Sequence, residues 1–354
     1  MADLNDVLTA SEREILRPTK AGLLAALCAP RCGQPQLRFL ADFLNLLIVA
    51  NGRMYHARSV QESGWFKEDS ECGVNSLGGH ELFQYLLPEL KRLVSRAGPS
   101  WDTRFAGAVH SYHSAQLQVI TNRRVNNIVP DLESYLPLRR HLSGLYMLID
   151  LFELCENLDL TPGNEETINK LEIARQLAAD IIGCSLDVFA FNIDQAQGNS
   201  HNLVTVLMTH KQLSLQGALN FAGVLIKQKA DSFIDVERSL LSSPTPMKTN
   251  PFGTGSFSSY WDWIKSGPYS ATPPDAPSTN IECGGDLTFI GDVSSYLQVL
   301  KDCIVGTINW AYETELYFGK KGEEIRSFGW VFLSPKIKEE PSETADKCYY
   351  SISR

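Results

Sequence analysis

Apolar residues recur along most of this chain at intervals of three and four, the period of a helix with one face against a core. Leu37, Leu40, Phe43, Leu44, Leu47 and Ile48 make the clearest stripe. Comparable stripes run through 82–94, 104–123, 132–158, 165–191, 203–208, 217–241 and 293–317. Pro130, the pair Pro162 and Gly163, and Gly198 punctuate them, as proline and glycine do where helices stop. Nothing between the stripes alternates as strands do, and no internal repeat is visible. The expected fold is all-α: a single domain over 1–354, a barrel or bundle of helices around a central apolar cavity, where facing helices form ligand sites.

Composition narrows the partners. A chain of 354 residues with 44% apolar content buries a large core. The net charge of −9 speaks against nucleic acid and anionic membrane. The longest clean apolar run, 43–50, is too short to span a bilayer and carries Asn45. The acidic start, 1–14, has no basic region followed by an apolar one, so no secretory signal is read there. The 8 cysteines form no C-x-x-C pair and read as thiols in a reducing compartment. A cytoplasmic location follows, as a monomer or homodimer. Residues 242–281 hold seven of the 17 prolines and read as a long loop. Its Tyr260, Trp261 and Trp263 either pin that loop to the body or serve a lid. A polar tail, 336–354, reads as loosely held.

The chemistry concentrates in 186–202, L-D-V-F-A-F-N-I-D-Q-A-Q-G-N-S-H-N. This resembles the second metal motif of fungal class I terpene synthases, N-D-x-x-S-x-x-x-E followed by Q-A-R-G-x-x-H-N. Gln195, Ala196, Gly198, His201 and Asn202 stand at matching positions, whereas the three ligand positions hold Leu186, Ala190 and Asp194. Positions i, i+4 and i+8 share a helix face, so three oxygen ligands there meet one hard cation; Leu186 and Ala190 supply none. Three further segments resemble the family. In 132–144, L-E-S-Y-L-P-L-R-R-H-L-S-G, Arg140 matches its diphosphate-sensing arginine, with Arg139 as a helper. In 309–319, N-W-A-Y-E-T-E-L-Y-F-G, the family's Arg-Tyr pair is Leu316 and Tyr317. In 41–55, Asp42, Asn45, Leu46 and Val49 match, but the acidic positions hold Asn51, Gly52 and Tyr55. The family's lysine is Ile193.

The resemblance implies a terpene-synthase-like enzyme whose metal and diphosphate groups are depleted. Expelling a diphosphate in a low-dielectric pocket needs cations. The expectation is therefore cyclisation or rearrangement of a neutral terpenoid or polyene, with no metal and no cofactor. Arg140, Asp187, Asn192, Asp194 and Tyr317 are the candidate catalytic groups, and Phe43, Leu44, Leu47, Phe189 and Trp310 the candidate substrate wall. Arg140 is expected on one helix over 132–158, aimed at Asp187 and Asp194, either polarising substrate or simply paired with a core carboxylate. Two alternatives stand beside this: an atypical class I synthase that ionises a prenyl diphosphate with a reduced magnesium site, and a non-catalytic terpenoid-binding descendant.

Overall fold

The computed structural model describes residues 7–57, 59, 61–65, 73–95, 97–125, 129–158, 160, 164–241 and 287–335. Of these, 82% lie in helix, and the described residues contain no strand. The 242–281 loop and the 336–354 tail fall outside them.

The chain opens with α1 (Ala10–Thr19) and α2 (Ala21–Cys28). Thr9 and Glu12 start α1 with a capping box, a Thr-x-x-Glu signal that satisfies two orphan amides reciprocally. The stripe from Leu37 lies on α3 (Gln34–His56), where Leu40, Phe43, Leu44 and Leu47 are buried. A short 3-10 turn leads into α4 (Leu87–Val94), followed by α5 (Pro99–Arg124). The expected single helix over 132–158 is two, α6 (Leu132–Leu142) and α7 (Leu145–Cys155). Gly144 separates them with φ 71. A Cβ there would stand 2.8 Å from both Leu47 Cδ1 and Met147 Cε, so both the left-handed backbone and the packing require glycine.

The long helix α8 (Glu165–Gln197) runs through the core against α10 (Leu215–Leu241) and α11 (Leu287–Glu313). By length and composition α8 is the one described helix that could cross a membrane, yet more than half of its apolar window is buried in the protein. Gly198, at φ 73, ends it, and Asn202 caps α9 (Leu203–His210). The 293–317 stripe also breaks, because Thr314 caps a short α12 (Glu315–Phe318), after which comes α13 (Gly322–Phe328). One large apolar cluster joins α2, α3, α5, α7, α8 and α11, and a smaller one joins α6, α8, α9 and α10. The cavity lies between α3, α6, α8 and α11.

Candidate active site

The cavity has a volume of about 1080 Å³. Leu44, Leu47 and Ile48 of α3, Leu145 and Leu148 of α7, Leu186 and Ala190 of α8, and Trp310 of α11 give it an apolar wall. Tyr55, Arg139, Ser143, Asp187, Asn192 and Asp194 make one polar stretch of the lining, and Tyr317 also faces in.

At the polar end Arg139 crosses to α8, its Nε donating to Asp187 Oδ1 at 2.7 Å. Its other arm reaches the Ser143 hydroxyl. Asp187 also accepts from the Tyr135 hydroxyl and, at 3.0 Å, from the Leu203 amide. Asp194 stands differently. Its two oxygens accept amides, Asn199 Nδ2 at 2.9 Å and Asn202 Nδ2 at 2.7 Å. Burial pushes its carboxyl up to about 6, because the amides favour the ionised form less than burial disfavours it. Burial, with the nearby Asp194 charge, pushes the Tyr55 hydroxyl up to about 12. Tyr317 is likewise raised, chiefly by burial. Burial opposes the Arg139 charge, and Asp187 with Tyr135 and Tyr55 together more than offset it, so Arg139 stays a cation.

These contacts explain why the 195–202 pattern stands beside altered ligand positions. Asn202 ties Asp187 O at 2.8 Å to Asp194 and caps α9 through Val204 N at 2.9 Å. Buried His201 meets Asn122 Nδ2 at 3.3 Å. Gln195 Nε2 donates to Ser334 O at 2.7 Å. Each residue has a structural partner whether or not a metal is held.

Of the expected site residues, Asp187, Asn192, Asp194, Tyr317, Leu44, Leu47 and Trp310 line the cavity. Three do not. Arg140 turns away, with Nε 2.5 Å and Nη2 3.1 Å from the two oxygens of Asp180, which also meets Lys229 Nζ at 2.8 Å. Neighbours on a helix differ by about 100° in direction, and the face that meets Asp187 belongs to Arg139. The expectation of Arg140 opposite Asp187 and Asp194 is corrected to Arg139. Phe43 is fully buried against Phe83, ring centroids 5.3 Å apart. Phe189 packs behind the wall, 4.9 Å from the ring of Tyr312 and 5.8 Å from that of Phe318. Sequence reasoning gives Arg139 only as a helper of Arg140, and it misses Ser143 and the donor role of Tyr135. The Arg-Arg pair was the available signal, and it does not say which arginine faces in.

The donors among the described residues do not fit a three-magnesium cluster. Among the described residues no group of three or more His, Cys, Asp or Glu side chains comes together to hold a metal ion. Asp187 is committed to Arg139, Tyr135 and an amide, and Asn51 Oδ1 accepts from Tyr112 at 2.9 Å. Hard cations need several converging oxygens.

The sequence model "Terpene synthase family 2, C-terminal metal binding" matches residues 64–232. Germacrene A synthase of Nostoc punctiforme is 36% identical over 232 residues, 63% of this chain and 70% of that protein. The chain belongs to the terpene synthase family. Sesquiterpene synthase 1 of Postia placenta is 28% identical, covering 93% of this chain and 85% of its own. Alpha-muurolene synthase of Coprinopsis cinerea is 29% identical, covering 92% and 69%. Germacradien-4-ol synthase of Streptomyces citricolor shares the fold, with TM-score 0.59, 17% identity and 88% of each chain covered. This terpene synthase is thus a terpene cyclase-like enzyme of the fungal class I type. The family match overturns the expectation of no cofactor, since the matched region is a metal-binding one in enzymes that use Mg²⁺. Leu186 and Ala190 show that two ligand positions are lost; they do not show that the reaction takes no cation.

Proposed function

We propose that this terpene synthase cyclises or rearranges a terpenoid-type substrate folded in the 1080 Å³ cavity, with its polar head against Arg139, Asp187 and Asp194. The observation that carries this is an apolar wall from α3, α7, α8 and α11 beside the buried Arg139, Asp187 and Asp194, in a chain of this family; charged residues, among them Glu12, Arg53, Glu315 and Glu324, line the rest of the cavity. Hydrocarbon gains about 25 cal/mol per Å² on leaving water, and a shaped wall supplies rate by orientation. The head that buried cluster suits is a neutral oxygen: a hydroxyl, carbonyl or epoxide. Arg139 is already matched by Asp187, so a diphosphate with about three negative charges meets no surplus of positive charge there. Arg139 orients the head, and Asp194, near 6, holds or gives a proton close to neutral pH. The faces of Trp310 and Tyr317 shield developing positive charge. The thiols of Cys28, Cys32, Cys155, Cys184 and Cys303 are free, which supports a reducing, cytoplasmic setting.

A second reading has its own support. Lys320 and Lys321 line the mouth, and the family consists of magnesium enzymes; these are the cations that ionisation of a prenyl diphosphate calls for.

The test offers purified protein prenyl diphosphates of several lengths and, separately, neutral oxygenated terpenoids, each with magnesium and with excess chelator. Cyclised product from the neutral compounds supports the first reading. Pyrophosphate release that needs magnesium supports the second. Binding of both classes with turnover of neither overturns both and leaves a terpenoid-binding protein.

A further inference from the structure

Past α13 the chain turns at Gly329, φ 72, and runs to Pro335 across the cavity mouth. Trp330, Val331, Phe332 and Ser334 contribute to the lining. Trp330 and Phe332 are nevertheless 53% and 79% exposed, so this stretch has one side on the cavity and one on solvent. Their rings pack on each other, centroids 4.8 Å apart. Two hydrogen bonds fix the far end to α8: Ser334 N donates to Asn192 Oδ1 at 2.7 Å, and Gln195 Nε2 donates to Ser334 O at 2.7 Å. Asn192 and Gln195 sit three apart, on one helix face. Together they grip both backbone polar groups of a single residue, as a neighbouring strand would. Gln195 Nε2 also reaches Asn192 O at 3.1 Å, which fixes its rotamer.

We infer that Asn192 and Gln195 are positioning residues that latch residues 329–335 over the mouth. The latched strap is the outer wall that sets how long an apolar chain the cavity accepts. Asn192 is thereby moved from the catalytic set, because its acceptor oxygen is engaged by Ser334. A strap held by two neutral hydrogen bonds, with its rings mostly in solvent, opens at small cost. It admits a chain when open and excludes water when closed. Asp194 lies between the two latch residues on the same helix, so the latch stands beside the polar end. The inference rests on the reading above only for the nature of the bound chain; the latch itself does not depend on it.

The test uses the full chain. Hydrogen exchange reads the amides of 330–334, stopped-flow fluorescence reads release of Nile red, and competition by n-alkanols of increasing length reads selectivity. Asn192→Ala and Gln195→Glu each remove one latch bond. Each is expected to speed strap exchange and probe release by roughly 3–10-fold and to blunt the length preference. Asn192→Asp keeps the acceptor for Ser334 N and is expected to return near wild type. Should the α8 variants fail to fold, Trp330→Ala and Phe332→Ala shorten the wall without touching that helix and should shift preference to longer alkanols. Wild-type exchange, release and length preference in these variants overturn the latch. If no alkanol or dye binds at all, the cavity reading falls, and Ser334 exchange in Asn192→Ala still decides the latch.

Discussion

Two buried charge clusters meet α8, and they are built differently. On the far side, Asp150 meets Arg104 Nε at 3.0 Å and Arg175 Nη2 at 2.8 Å, and Glu153 meets Arg104 Nη2 at 2.5 Å. Two guanidinium groups face two buried carboxylates there, and Arg175 also meets the exposed Glu172 at 3.4 Å and lies 4.4 Å above the Tyr146 ring. At the cavity one guanidinium, Arg139, faces Asp187, while Asp194 has only amides. Both clusters perturb a carboxyl, since Glu153 is raised to about 7 and Asp194 to about 6, in each case first by burial. A shifted acid therefore does not mark the site by itself. What separates them is matching and place: the far cluster balances its buried charges, and the near one leaves an acid with no cation on the wall of the large cavity.

Breaking the far cluster should have the largest effect. Asp150→Ala takes the shared carboxylate from both guanidinium groups, leaving Arg104 only Glu153 and Arg175 only the Tyr146 carbonyl at 3.2 Å and Glu172 at 3.4 Å. It should cost ~3 kcal/mol of unfolding free energy, read from denaturant midpoints. A loss under about 1 kcal/mol would show that this cluster does not hold α5, α7 and α8 together. At the cavity, Arg139→Leu should lower turnover per folded molecule by ~10²-fold, the scale of losing one preorganised donor. Arg139→Lys should recover only part, because the fork is lost. Equal turnover in wild type and Arg139→Leu would remove the near cluster from the chemistry.

Titration sharpens the contrast. Each raised carboxyl binds its proton more tightly folded than unfolded. The stability each contributes is fully present below its ordinary value and lost as pH rises through its folded value, a loss of up to ~3 kcal/mol apiece. Asp194→Asn should flatten the stability curve between pH 3.8 and about 6, and Glu153→Gln between 4.5 and about 7. Coincident curves for wild type and a variant across its window would remove that group from the linkage. The smallest effect belongs to Arg140→Leu. Asp180 keeps Lys229 at 2.8 Å, so the cost should be about 1–2 kcal/mol, with turnover within about twofold of wild type. A ~10²-fold loss of turnover would return Arg140 to the site.

Helix existence was legible in the chain because the 3.6-residue period is local, and burial of each stripe needs only some core to face. The same holds for Gly198 at the end of α8 and for the changed ligand positions 186 and 190. The stripes leave out α1 and α2, although Thr9 with Glu12 starts α1 by an equally local signal. Other features had no local signal. The single stripe over 132–158 hides a break because Gly144 is required by Leu47, a residue distant in the chain. Arg139 and Arg140 read alike in sequence; the rotation of α6 against α8 gives one to Asp187 and the other to Asp180. Phe43 and Phe189 carry the right chemistry for a wall, but packing turned them into its backing. Asn192 looked like a free polar group until Ser334, far along the chain, came to rest on it. The sequence by itself determined the helices, the family frame and the loss of oxygen ligands, all set by residue type and short-range spacing. Only the tertiary structure decided which side chains meet in the cavity, because that depends on helix rotation and on contacts between residues far apart in the chain.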